Sequence, residues 1–186
     1  MTRPSQWFAL SAIGKDRPGI VADLAELIYE CDCNLEDSSM TLLGGEFAVL
    51  LLLSGSGQDL APRLGKACKR LEWEKRLTVF FRRLDGEPDA GRRGPAAERI
   101  ELRAEGVDKA GIVARICRVL ADHDINITDL RSQSSPQAQT GTLIYTLRIS
   151  LDVPPSVDLE GLRRTLDDVA ADLQVDVSLA RVAAVA

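Results

Sequence analysis

The residues best suited to chemistry in this sequence form a short run, Asp16-Arg17-Pro18-Gly19-Ile20-Val21, followed at a distance by Asn34. Glycine lets a ligand approach the backbone closely, and the unpaired N–H groups at a helix start attract a carboxylate. Asparagine carries a donor and an acceptor on one side chain, which suits a zwitterion. Such a set describes a binder of a small amino-acid-like molecule. The same types return 92 positions later as Asp108, Lys109, Ala110, Gly111, Ile112, Val113 and Asn126.

Other chemistries lack their parts. The cysteines are Cys31, Cys33, Cys68 and Cys117, with no CxxC pair, and His123 is the only histidine. A zinc centre or a nucleophile–histidine pair therefore has too few ligands or bases. Cys31-Asp32-Cys33 reads as small apolar residues near a helix end. There is no phosphate-cradling Gly-Lys-Ser run, so the expectation is a non-catalytic protein without metal or cofactor. The net charge is -5, from 23 Lys plus Arg against 28 Asp plus Glu, a field that repels phosphate backbones. Basic pairs such as Lys69-Arg70, Lys75-Arg76, Arg82-Arg83 and Arg92-Arg93 alternate with Glu72, Glu74, Asp85 and Glu87, as on a solvated surface. No direct nucleic-acid partner is expected. The longest apolar stretch, Phe47 to Leu53, is too short to span a bilayer. A cytoplasmic protein without a membrane partner is expected.

These residues must be held by a repeated frame. Gly14-Lys15-Asp16-Arg17-Pro18-Gly19-Ile20-Val21 matches Gly106-Val107-Asp108-Lys109-Ala110-Gly111-Ile112-Val113, and Leu24, Asp32, Asn34 and Asp37 match Ile116, Asp124, Asn126 and Asp129. The chain reads as an internal duplication. Alternation predicts strands over Trp7–Ile13 and Arg99–Ala104, and helical spacing predicts helices carrying Ile20, Leu24, Leu27 and Ile28, then Ile112, Ile116, Val119 and Leu120. Pro18 fits a first helical turn, and Asp16 and Asp108 fit a cap or a complement to the helix dipole. Two strands follow, Asn34–Leu43 and Glu46–Ser54, joined by Gly44-Gly45 as a hairpin. Their counterparts are Asn126–Gln133 and Thr142–Leu151, with a longer connection at Ser134–Gly141, after which the offset becomes 96. Helices over Leu60–Leu71 and Leu159–Leu173 precede last strands at Lys75–Arg82 and Val175–Val182.

The order is βαββαβ, twice: an α+β, ferredoxin-like arrangement with helices on one face of each antiparallel sheet. The first domain spans 1–84 and the second 98–186, with the Gly-, Pro- and charge-rich stretch Asp85–Ala97 as an exposed linker. Aliphatic residues must supply the core, since 45% of the chain is hydrophobic but only 4% aromatic. Several residues have plainer readings. Gly19 and Gly111 would also serve tight packing of strand against helix, and Asn34 and Asn126 would also cap turns. Asp37 and Asp129 fit a solvated strand face, and His123 a helix end.

A strand, then Asp-Arg-Pro-Gly-Ile-Val opening a helix, then an asparagine at the next strand resembles the ACT domain, and the resemblance covers nearly the whole chain outside the linker. It implies domains that pair side by side and bind an amino acid at the pairing interface. Carried onto this sequence, it implies ligand-binding roles for Asp16, Arg17, Pro18, Gly19, Ile20 and Asn34, and for Asp108, Gly111, Ile112 and Asn126. The second copy departs from the pattern at Ala110 and Lys109. A ligand-sensing regulator that acts on transcription or metabolism through a protein partner, and that forms a homodimer, is the leading expectation. A regulatory subunit of a biosynthetic enzyme and a dimerisation module without ligand are the alternatives.

Overall fold

The computed structural model describes residues 5–88, 98–137 and 140–182, and the chain divides into two compact units between Ala90 and Gly91. In the first unit, β1 (Gln6–Lys15), α1 (Ile20–Glu30), β2 (Cys33–Leu43), β3 (Glu46–Gly55), α2 (Leu60–Lys75) and β4 (Thr78–Leu84) follow in order. In the second they are β5 (Glu98–Val107), α3 (Ile112–Asp122), β6 (Asn126–Pro136), β7 (Leu143–Val153), α4 (Leu159–Leu173) and β8 (Val175–Arg181). The sheet orders are β2-β3-β1-β4 and β6-β7-β5-β8, every pair antiparallel. Both units have the expected ferredoxin-like fold. Of the expected linker, 89–97 lies outside the described residues.

Period decides which side chains form each core. Phe8, Leu10 and Ala12 alternate inward along β1, as Phe47, Val49, Leu51 and Leu53 do along β3. They meet Ile20, Leu24, Leu27 and Ile28 of α1 and Leu60, Leu64, Cys68 and Leu71 of α2, which recur every three or four residues. The second core repeats this scheme, and Ile100, Leu102 and Ala104 of β5 face Ile112, Ile116 and Leu120 of α3.

Gly14 and Gly106 let β1 and β5 approach the chain closely where it enters the last strand of each unit. A Cβ on Gly14 would stand 2.6 Å from Leu77 Cδ2, and one on Gly106 would stand 2.8 Å from Val175 Cγ1. The tight packing of strand against helix considered for Gly19 and Gly111 falls instead to Gly55 of β3, where a Cβ would stand 2.7 Å from Leu60 Cδ2 at the start of α2. Among the described residues, nothing lies within 4 Å of a Cβ on Gly111, and the only atom within 4 Å of one on Gly19 would be Arg17 Nη1 at 3.8 Å.

Four local expectations change. The helices α1 and α3 start at Ile20 and Ile112 behind left-handed glycines, so Pro18 lies in the preceding turn instead of the first helical turn. Neither Asp16 nor Asp108 caps them, since Gly19 and Gly111 occupy the cap positions without a side-chain bond. Lys75 closes α2 instead of opening the last strand, because Arg76 turns the chain in a left-handed conformation. β6 runs on through Pro136, and Gly14 pairs with Phe47 where Gly106 pairs with Tyr145, so the offset past the hairpin is 98 and not 96. A gap-free count across an irregular connection could not locate the additional rung.

A candidate ligand site at the helix starts

Each copy places its glycine at the point where the chain leaves the sheet and enters the first helix. Gly19 has φ 90° and ψ -5°, Gly111 φ 98° and ψ -6°, and each carbonyl accepts the first helical bond, from the N–H of Asp23 at 2.9 Å or Arg115 at 3.0 Å. The loop before the glycine is anchored in the same way twice. Asp16 N–H donates to Gly45 O at 3.0 Å, and Asp108 N–H to Leu143 O at 3.1 Å. The helix start is thereby fixed, exposed and without a side-chain cap in both copies. At α4, by contrast, the Asp158 carboxylate accepts from Glu160 N–H at 3.1 Å. Absence of a cap alone does not mark a site, since α2 also begins at Asp59 without a capping bond. Distinctive here is the combination of uncapped N–H groups with an exposed glycine, which exposes the backbone to an incoming anion.

Side chains of the loop are partly committed. Arg17 Nη2 donates to Asp23 Oδ2 at 2.6 Å, and Nη1 donates to Pro18 O at 3.2 Å. Lys75 Nζ reaches the other oxygen of Asp23 at 2.9 Å. The bonds from Lys75 and then Arg17 hold the Asp23 carboxyl below its usual range, against a smaller opposing effect of burial. The negative charge that complements the α1 dipole is therefore Asp23, inside the first turn, and not Asp16. The dipole rule would have found Asp23 in the sequence.

The second copy keeps the backbone and rewires the charges. Arg115 stands at the position of Asp23 and pairs with Asp172 at 2.8 Å, Lys109 bonds Gln174 Oε1, and Asp108 accepts from Ser134 Oγ at 2.7 Å. No acidic residue occupies the first turn of α3.

Of the remaining candidates, Ile20 and Ile112 are buried in the cores, so only their backbones could meet a ligand. Asn34 and Asn126 are exposed at the starts of β2 and β6. Within one unit the asparagine and the glycine do not converge. Asn34 shares a row with Ser54 and Trp7, at one end of the sheet, while Lys15, next to the glycine loop, shares a row with Glu46 and Leu43 at the other. Eight steps of β1 separate the rows, roughly 25 Å. A site using both must take the loop from one domain and the asparagine from another.

The cysteines are placed differently from any of these. Cys31, Cys33 and Cys68 are buried in the first core. Burial raises Cys31 and pushes the thiol of Cys33 up to about 11 and that of Cys68 up to about 12, which suppresses the reactive thiolate. His123 ends α3, its Nδ1 2.8 Å from Val119 O. No group of three or more His, Cys, Asp or Glu capable of holding a metal is found among the described residues, and no described helix is long and apolar enough to cross a membrane.

Family models described as "ACT domain" match residues 6–82 and residues 100–169. Among curated proteins, the glycine cleavage system transcriptional repressor of Escherichia coli (strain K12) is 27% identical over 181 residues, covering 96% of this chain and 92% of the relative. A crystal structure of an unknown protein from Galdieria sulphuraria superposes with a TM-score of 0.79 at 28% identity, covering 96% of this chain and 99% of the other. A second crystal structure, provisionally designated a glycine cleavage system transcriptional repressor, gives 0.72 at 25% identity, with coverage of 96% and 98%.

Proposed function

This chain consists of two ACT domains in tandem, and we propose that it is a non-catalytic regulator that binds an amino acid and passes the signal to a protein partner, on transcription or metabolism. The observation that carries this reading is the doubled helix start: an exposed left-handed glycine and uncapped N–H groups, in the same geometry at Gly19 and Gly111. The N–H groups would take the carboxylate, and Asn34 or Asn126 of a paired domain would meet the ammonium and a carboxylate oxygen.

Pairing follows from the edge strand. β2 is exposed along almost its whole length and carries Leu35, Met40, Leu42 and Leu43 with large exposed areas. An edge of this kind favours addition of another strand. An antiparallel partner on β2 would set the start of one edge strand beside the end of the other, and so would bring an asparagine to a glycine loop. Similarity along the full length to a transcriptional repressor supports the regulatory part of the proposal. With a net charge of -5, such a regulator would act through another protein instead of gripping nucleic acid itself.

Titration calorimetry of the full chain against the twenty amino acids tests the proposal. Binding of one or a few of them, with a matching rise in thermal stability, is the expected outcome. No heat and no stabilisation with any amino acid would sink the sensing role.

A further inference from the structure

The duplication provides an internal comparison for the sheet faces turned away from the helices. In the first unit, register lays this face out in rows: Asn34–Ser54–Trp7–Leu84, then Asp37–Leu52–Ala9–Arg82, then Ser39–Leu50–Ser11–Phe80, then Thr41–Ala48–Ile13–Thr78. Its middle is apolar, with Ile13, Leu50 and Phe80 exposed by 51, 57 and 64%. The corresponding face of the second unit is charged, with Arg99, Glu101, Arg103 and Glu105 along β5 and Arg148 beside them on β7. The ferredoxin-like frame therefore does not require an apolar open face. This one is particular to the first unit.

We infer that the open face of the first sheet, centred on Leu50, Ile13 and Phe80, is an interface that stacks on the same face of a second copy of this chain. Charge selects the occupant. The second unit's face is a poor match, since covering Leu50 and Phe80 with it would strip water from several charges. A second copy fits at both the centre and the rim. Asp37 lies on the β2 edge and Arg82 on the β4 edge of one row, with Leu52 and Ala9 between them. Three strand spacings, about 14 Å, keep the two from pairing within one sheet. A two-fold axis parallel to the strands reverses the row, so Asp37 faces Arg82 of the partner subunit at each end. Stacked sheets lie about 10 Å apart, within reach of these two side chains together. The contact is isologous and closes at a dimer.

This interface is distinct from pairing along β2 and does not depend on a bound ligand. Arg82 separates the two arrangements, because it lies on the edge opposite β2.

The test is sedimentation equilibrium of the full chain, with circular dichroism as the folding control. Wild type is expected as a dimer, and Leu50→Glu as a folded monomer. Phe80→Lys, on an edge strand, gives the same readout if Leu50→Glu does not fold. Asp37→Arg and Arg82→Asp should each raise the dimer dissociation constant by at least about tenfold, and the double variant should return it close to wild type. A wild-type monomer at about 100 μM, a dimer indifferent to both apolar substitutions, or a double variant no tighter than the single ones would overturn the inference.

Discussion

Gly19 and Gly111 hold one backbone conformation at one place in two domains, φ 90° and 98° immediately before α1 and α3. The surrounding side chains differ, with Arg17 and Asp23 in one copy and Lys109 and Arg115 in the other. What the duplication retains at this point is backbone geometry and access, while the charges are free to vary. Both glycines are exposed, and neither is forced by crowding. The left-handed conformation forces them.

Alanine should therefore be costly here without any clash. Gly111→Ala adds a Cβ that meets nothing within 4 Å among the described residues, yet the left-handed backbone makes it roughly 1–2 kcal/mol less stable than wild type. Urea unfolding followed by circular dichroism measures the loss. An unchanged midpoint would mean that the loop relaxes to negative φ. Binding data on glycine variants need this correction before they say anything about a ligand.

Asp23→Asn should weaken the first domain by roughly 0.5–1 kcal/mol, the scale of partly exposed ion pairs. Lys75 and Arg17 lower the folded carboxyl below its ordinary value. The stabilisation it provides is then fully present above about pH 5 and is lost as pH falls through the lowered folded value. Wild type and variant should converge in acid and separate near neutrality. A difference that grows as the pH falls would contradict the assignment.

Much of this was legible because two periods, 2 and 3.6, and an internal repeat report directly on which side chains are covered. Phe8, Leu10 and Leu53 on the strands and Leu24 and Ile116 on the helices lie where alternation and helical spacing put them. Caps and ends were less legible. They depend on single backbone angles, and the chemistry of Asp16 or Pro18 does not reveal that Gly19 is left-handed. Nor could the sequence show that Asn34 and Gly19 stand at opposite ends of a sheet, since that separation comes from strand register. The opposed open faces are a product of register too, as each row takes residues from four strands.

The connection between the domains carries a simple expectation. Asp85–Ala97 is rich in Gly, Pro and charge and follows the last strand of the first core. Limited proteolysis should cut here first and yield two fragments of similar size. First cleavage inside α1 would place the boundary wrongly.

The asparagines give the cleanest probe of the ligand site, because they are exposed at strand starts and do not carry the strained backbone of the glycines. Asn34→Leu keeps a similar volume and removes both donor and acceptor. If Asn34 meets the ligand's polar groups, the substitution should cost roughly 1–3 kcal/mol of affinity, the cost of leaving a buried polar partner unsatisfied, or about 5- to 150-fold in Kd. Asn126→Leu tests the second copy in the same way, and there the absence of a first-turn acid in α3 leaves the helix dipole to attract the carboxylate unopposed. The two variants need not lose affinity equally, and the ratio of the losses reports which copy binds more of the ligand. Calorimetry on each variant, with circular dichroism to show that it is folded, makes the comparison. Wild-type affinity in both would mean that these asparagines only begin their strands, and that any amino-acid site is built from other residues.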